Sequence, residues 1–235
     1  FIYCTALPTP AQRGAVLQGL PDGVRDGRVR VFDGKRWGSG DFALLNGVET
    51  WLMYFTVEDA MAEVDAVLSG KQPDKLDNYY YPVGRLGMLS NITVLFDRSG
   101  FLGGLKQRLA HYPPELAQML TDHHLNALTD TEDLERAAAR QDVLFYHFAL
   151  DLALDHWLQA LFAMNHTYFP SRKRTLQYTQ GFTRKPARLE QRLTQLLALG
   201  GAGDTVPASY AILQSLIAEL SALAQARPQH KGEIG

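Results

Sequence analysis

Hydrophobic and polar positions change period along this chain. Phe1 to Leu7 is aromatic and β-branched and stops at Pro8-Thr9-Pro10. That pattern predicts a strand, then a helix N-capped by Thr9 with Pro10 at its first position, running through Leu20. Arg28 to Phe32 alternates polar and apolar and ends at Asp33-Gly34, a hairpin signal. Asp41–Leu45 and Val48–Phe55 flank Asn46-Gly47, the dipeptide that best suits a tight hairpin because both of its positions tolerate positive φ. Thr56-Val57-Glu58-Asp59 then opens a helix that puts Ala60, Val64, Val67 and Leu68 on one face and ends at Gly70.

Beyond the polar connector Lys71 to Asp77, helical periodicity takes over. A short apolar run at Ile92–Phe96 is closed by Asp97-Arg98-Ser99-Gly100, an ordinary turn sequence. Helices are expected near 101–111, 114–128, 131–165, 171–180, 186–199 and 206–226. The longest, with Glu132 in its first turn and no Gly or Pro before Asn165, would be about 50 Å long and form the central column of a bundle. Leu144–Met164 is apolar enough to suggest a membrane span, but it contains His147, Asp151, Asp155 and His156. Each central carboxylate in a lone span costs roughly 2.5–3.5 kcal/mol, so a buried bundle helix is expected, with no membrane partner. The predicted class is α+β: a mixed-sheet domain over 1–72, an all-α helical bundle over 73–227 and a disordered polar tail over 228–235.

Composition narrows the function. The 235 residues carry 23 Lys plus Arg against 25 Asp plus Glu, a net charge of −2, which argues against duplex DNA or an anionic membrane held by bulk electrostatics. An anion must then be held locally. The single cysteine, Cys4, excludes a disulfide framework and a cysteine-built zinc site and fits a reducing cytoplasm. No charged n-region precedes an apolar core at the N-terminus. The chain opens on Phe1 with a strand already under way, which reads as a fragment lacking its beginning.

On a continuous helix over 131–165, taking about 100° per residue from His147, Arg140 falls near +20°, Asp151 near 40°, Asp155 near 80° and Asn165 returns to zero. One polar stripe would thus run along an otherwise apolar helix. It reads either as a self-satisfying network or as the wall of a cleft. His147 and Asp151 at i, i+4 could also hold a metal, though no third strong ligand is near in sequence. Directly after comes Asn165-His166-Thr167-Tyr168-Phe169-Pro170-Ser171-Arg172-Lys173-Arg174. Pro170 breaks the helix and Ser171 would cap the next, placing Arg172, Lys173 and Arg174 in a first turn where the helix dipole disfavours cations. That cost is offset by a bound anion, so the cluster has the composition of a phosphate cradle, with a solvated basic turn as the alternative. On the β side, Glu49 and Trp51 lie two apart on one strand and face the same way.

Residues 158–173, Leu-Gln-Ala-Leu-Phe-Ala-Met-Asn-His-Thr-Tyr-Phe-Pro-Ser-Arg-Lys, resemble the end of a long helix in a group of bacterial nucleotidyltransferase-like proteins. The group's run is Ala-Leu-Asn-Arg-x-Tyr-Phe-Pro-x-x-Lys; Asn165, Tyr168, Phe169, Pro170 and Lys173 match, while Met164 and His166 replace the Leu and Arg. Leu95–Gly100 is similar to the group's Leu-Tyr-Asp-x-x-Gly turn. The resemblance implies the architecture of aminoglycoside and lincosamide nucleotidyltransferases, a small mixed-sheet domain of the polymerase-β type joined to a helical bundle. It implies Mg²⁺-dependent transfer of a nucleoside monophosphate from a nucleoside triphosphate to an acceptor hydroxyl, the acceptor being a small molecule or a macromolecule. The family's Gly-Ser loop and Asp-x-Asp strand do not occur here, and the resemblance would put them just before Phe1. Its third carboxylate sits on the later strand, where Glu49 is the available metal ligand and Trp51 a second alignable position. Asp151 or Asp155 would serve as acidic base, and Asn165, Tyr168, Arg172, Lys173 and Arg174 as nucleotide and phosphate ligands, with Arg140 and His147 along the cleft.

A second class competes. Arg140-x6-His147 fits the Arg-x(4 to 6)-His spacing of HEPN-type ribonucleases, and a non-catalytic nucleotide- or RNA-binding helical module or scaffold would keep the same cleft without transfer.

Overall fold

The computed structural model describes residues 1–19, 30–33, 38–45, 47–71 and 81–226. The Leu20 end of the first helix, the Arg28-Val29 start of the second strand, the Asn46 half of the hairpin signal and the polar tail lie outside the described residues. The protein is α+β and divides into two compact units, Phe1–Ser69 and Gly70–Gly235.

In the first unit, β1 (Ile2–Cys4), β2 (Arg30–Asp33), β3 (Ser39–Leu45) and β4 (Val48–Thr56) form one mixed sheet in the order β1-β4-β3-β2. β1 runs parallel to β4 with Ile2 opposite Tyr54, and β3 pairs antiparallel to both β4 and β2. Gly47 has φ +79°, the positive value the hairpin signal requires. Between β1 and β2 lies α1 (Pro10–Gln18), opened by a capping box in which the Thr9 hydroxyl accepts from the Gln12 amide. Arg13 of α1 is buried and donates to both carboxylate oxygens of Asp41, at 2.8 and 3.2 Å, while its guanidinium lies 4.9 Å from the centre of the Tyr54 ring. Periodicity alone could not show this pair, because Arg13 and Asp41 are 28 residues apart. α2 (Val57–Leu68) is N-capped by Thr56 and buries Ala60, Val64 and Val67 of the stripe its spacing predicts, with Leu68 half-buried at the helix end.

In the second unit the helices are α3 (Pro82–Asn91), α4 (Phe101–Leu109), α5 (Pro114–Ala127), α6 (Glu132–Arg140), α7 (Val143–Met164), α8 (Thr175–Thr179), α9 (Leu189–Leu199) and α10 (Val206–Gln225). α3 escapes the sequence reading because it contains Gly84 and Gly87, which weaken helix propensity. Their reason is tertiary: a Cβ at Gly84 would stand 2.6 Å from the Pro170 carbonyl oxygen, and one at Gly87 2.9 Å from that of Tyr168. α7 is the column of the unit, packed on α5, α6 and α10, with Trp157 fully buried and donating to the Leu216 carbonyl at 3.1 Å. Among the described residues α10 is the one helix long and apolar enough to cross a membrane. It buries Val206, Ser209, Tyr210, Leu213, Leu216 and Leu220 at three- and four-residue spacing, the stripe of an amphipathic bundle helix.

The expected 131–165 helix is two helices. Gln141 adopts φ +57°, and the Asp142 carboxylate accepts from the Phe145 amide at 3.1 Å, so a C-terminal left-handed residue and a new N-cap fall back to back. Asp is a poor helix-interior residue and a good cap, and here its capping role wins. Arg140 therefore ends α6 while His147 belongs to α7, and the single stripe through both does not exist. The 171–180 and 186–199 helices also start later than expected, at Thr175 and Leu189, because Arg174 and Arg188 take positive φ.

Candidate functional site

The polar cluster after α7 is built by a chain that leaves the helix and folds back on it. Asn165 closes α7: its amide nitrogen donates to the Leu161 and Arg184 carbonyls, both at 2.8 Å, and its oxygen accepts from the Arg184 amide at 3.1 Å. Those bonds clamp the helix end to the 184 segment and leave the side chain little capacity for a ligand. His166 follows with φ +50°, exposed, and the chain then runs extended over α3. Phe169 is buried between Tyr81 and Phe162, ring centres 5.1 and 5.0 Å away. Tyr168 is buried against Tyr112, 4.5 Å between centroids, and donates to the His111 carbonyl at 3.4 Å. Burial pushes the Tyr168 phenol up to about 12. Tyr168 thus packs in the interior and is not at a surface where phosphate would bind.

Pro170 ends the extended run, and Arg172 turns back onto α7. Its Nε donates to Asp155 Oδ1 at 2.5 Å, and its two Nη groups donate to the carboxylate and the carbonyl of Asp151. The Tyr81 hydroxyl donates to the same Asp155 Oδ1 at 2.8 Å. Asp151 and Asp155 are one helical turn apart and so share a face, which lets a single guanidinium fork span both. Their exposures differ: the Asp155 side chain is 9% accessible and that of Asp151 59%. Burial opposes the Arg172 charge, but its bonds to Asp155 and Asp151 outweigh burial and hold the guanidinium pKa above its ordinary value. The Tyr81 phenol is held well above its usual range, first by burial and then by its bond to Asp155.

Asp151, Asp155 and Arg172 are therefore brought together, with Tyr81 as a partner the sequence reading missed. Only its place in an aromatic run before Pro82 marks Tyr81 in sequence. Lys173 and Arg174 are exposed and form no ion pair among the described residues. They precede α8 instead of lying in its first turn, because Ser171 caps only a turn (its hydroxyl accepts from the Lys173 amide at 3.1 Å) and Arg172 is drawn away to α7. At the C-terminal end of α7 an open cavity of about 470 Å³ is lined by Asn165, His166, Thr167, Tyr178, Phe182 and Thr183, and neither Lys173 nor Arg174 lines it. Arg140 and His147 are exposed on separate helices. Glu49 is exposed on β4 opposite Leu44. Also unforeseen is a contact in the core of the helical unit, His124 Nδ1 at 3.0 Å from His156 Nδ1, between α5 and α7.

Among the described residues no group of three or more His, Cys, Asp or Glu side chains could hold a metal ion. Glu49 stands singly, and Asp151 and Asp155 are both engaged by the one Arg172 guanidinium, so the residues described do not fit Mg²⁺.

The fold defines an α+β protein whose helical unit is closed by a carboxylate–guanidinium knot. The family model described as a domain of unknown function, DUF4037, matches residues 80–174. The matched span begins next to Tyr81 and ends just after Arg172, so the knot joins its two ends. No curated protein and no solved structure matches the chain.

Proposed function

We infer that the protein is nucleotidyltransferase-like and moves a nucleoside monophosphate from a nucleoside triphosphate to an acceptor hydroxyl, in the cytoplasm. The observation that carries this reading is the half-exposed Asp151 carboxylate held by Arg172, with the exposed cations Lys173 and Arg174 next in sequence. A carboxylate fixed in this way accepts the proton of an acceptor hydroxyl, and the freed oxygen attacks the α-phosphorus as pyrophosphate leaves. Lys173 and Arg174 attract the triphosphate. Asp155 is a positioning residue: its Oδ1 is taken by Tyr81 and Arg172, and it sets the fork that holds Asp151. The resemblance of residues 158–174 to nucleotidyltransferase-like proteins supports the same assignment, and the mixed sheet of the first unit is compatible with it. No step is assigned to a metal ion on these residues. The break at Gln141-Asp142 removes the shared helical face on which the ribonuclease alternative stood.

The test uses the longest natural polypeptide that carries this sequence. Binding of ATP, GTP, CTP and UTP is measured by calorimetry, and transfer by release of pyrophosphate. Lys173→Ala with Arg174→Ala is expected to weaken triphosphate binding about tenfold. Asp151→Asn is expected to abolish transfer while leaving binding within about twofold. Unchanged binding in the double variant overturns the cradle.

A further inference from the structure

The first unit carries a feature that the phosphate-binding reading does not use. Residues paired across strands share a sheet face, so the registers of β1 to β4 sort the aromatic residues. One face bears Asp41, Ala43 and Tyr54, is buried, and is reached by Arg13 of α1. The other bears Phe32, Phe42, Trp51 and Phe55, with Phe1 and Tyr3 beside Phe55. Its two glycines permit that paving. A Cβ at Gly40 would stand 2.2 Å from the Leu52 carbonyl oxygen and 2.6 Å from the Phe32 ring, and one at Gly38, just before β3, 2.6 Å from the Phe55 ring, so the two rings lie close over this stretch of backbone.

Trp51 stands at the middle of this face and is 57% exposed. Phe32 meets it edge to face at 5.3 Å and Phe42 is tilted against it at 4.8 Å, so two rings brace the indole and neither is stacked parallel to it. Two residues before it, about 7 Å along the strand and on the same face, is Glu49. Glu49 is exposed, and its carboxylate makes no hydrogen bond or ion pair among the described residues. An exposed indole on a four-stranded sheet is a stacking platform for a flat ring. A carboxylate at the edge of such a platform accepts hydrogen bonds only, so it selects a ring that presents N–H donors side by side.

We propose that Trp51, braced by Phe32 and Phe42, stacks a nucleobase whose donor edge is read by Glu49, and that the preferred base is guanine. Guanine offers adjacent ring N–H and amino N–H donors on one edge, which a carboxylate accepts as a pair. Uracil offers one N–H between two carbonyl oxygens that repel the carboxylate, and adenine offers an amino group beside a ring acceptor. The site recognises the base alone, so it does not depend on Lys173, Arg174 or Asp151.

The test uses nucleosides, which have no phosphate. Guanosine is titrated into the protein by calorimetry and by tryptophan fluorescence, with uridine as comparison. Guanosine is expected to bind with about tenfold preference over uridine. Trp51→Ala is expected to weaken it about tenfold or more, and Trp51→Phe, which keeps a ring, by about threefold. Glu49→Gln is expected to abolish the preference for guanosine and leave stacking in place. Circular dichroism of each variant shows that the exposed substitutions leave the fold intact. Guanosine binding unchanged in Trp51→Ala, or absent in the folded protein at millimolar nucleoside, overturns the proposal. Equal affinity for guanosine and uridine overturns the role of Glu49. If guanosine binds while triphosphate binding ignores Lys173 and Arg174, the phosphate cradle fails and the base site stands.

Discussion

Arg172 Nε lies 2.5 Å from Asp155 Oδ1 across seventeen residues of chain, tying the segment that follows α7 back to the middle of that helix. The same oxygen accepts from Tyr81, so three separate stretches of the helical unit meet at one carboxylate. Removing one member leaves the others desolvated. Asp155→Ala is expected to destabilise the protein by about 2–3 kcal/mol, less than the loss of a fully buried pair because Arg172 is one-third exposed. Tyr81→Phe, which deletes one hydrogen bond, is expected to cost about 1 kcal/mol. Urea denaturation of both single variants and the double variant gives the coupling directly, and additive effects would show that the three groups do not act as a knot.

Arg13 and Asp41 make the corresponding pair in the sheet-bearing unit, and there both side chains are almost wholly buried, 6% and 2% exposed. Asp41→Ala strands a guanidinium against the Tyr54 ring. The expected loss is about 3–5 kcal/mol, measured as unfolding of the sheet-bearing unit by denaturant. Because the penalty is an uncompensated charge, Arg13→Met with Asp41→Leu should recover most of it.

Two glycines in helices have opposite expectations. At Gly84 an added Cβ meets the Pro170 carbonyl, a backbone atom that cannot swing aside, so Gly84→Ala should destabilise by about 1–3 kcal/mol. At Gly104 of α4 nothing lies within 4 Å of the added Cβ, and Gly104→Ala should stabilise by roughly 0.5–1 kcal/mol. Thermal melts of the two variants should move in opposite directions.

The buried phenols set an alkaline limit. Tyr168 ionises at about 12 in the fold against 10.0 when unfolded, so the neutral phenol is the form the native state favours. Below pH 10 both states are protonated and the full stability is present. Between about 10 and 12 the unfolded chain loses protons first, and stability falls by up to about 1.4 kcal/mol per pH unit for this tyrosine. Tyr168→Phe should flatten the stability profile above pH 10, as read from urea midpoints; an unchanged slope would mean that the phenol is not held neutral.

Much of the architecture was legible in the sequence because it depends on local rules. The Thr9 and Thr56 caps, the positive φ at Gly47 and the apolar stripe of α2 each reflect interactions within a few residues. Structure departs from these local rules where distant chain decides. A run without Gly or Pro from Asp130 to Asn165 looked like one helix, yet Asp142 caps a new one, and the stripe drawn through Arg140 and His147 dissolved with it. α3 carries no helical signal of its own because Gly84 and Gly87 serve the passage of Tyr168 to Pro170, far along the chain.

Composition and periodicity are properties of short windows, and they suffice for the α+β class, the helix-rich second half and the basic exit from α7. What the charges do depends on contacts between residues far apart in the chain. Arg172 is consumed by Asp151 and Asp155 and Asn165 by backbone groups, while Lys173 and Arg174 keep their charge exposed. On the sheet, strand register placed Trp51 among Phe32 and Phe42 on one face with Glu49. Hydrogen bonds and ring contacts act over a few ångströms of space, and folding alone sets which residues come within that range.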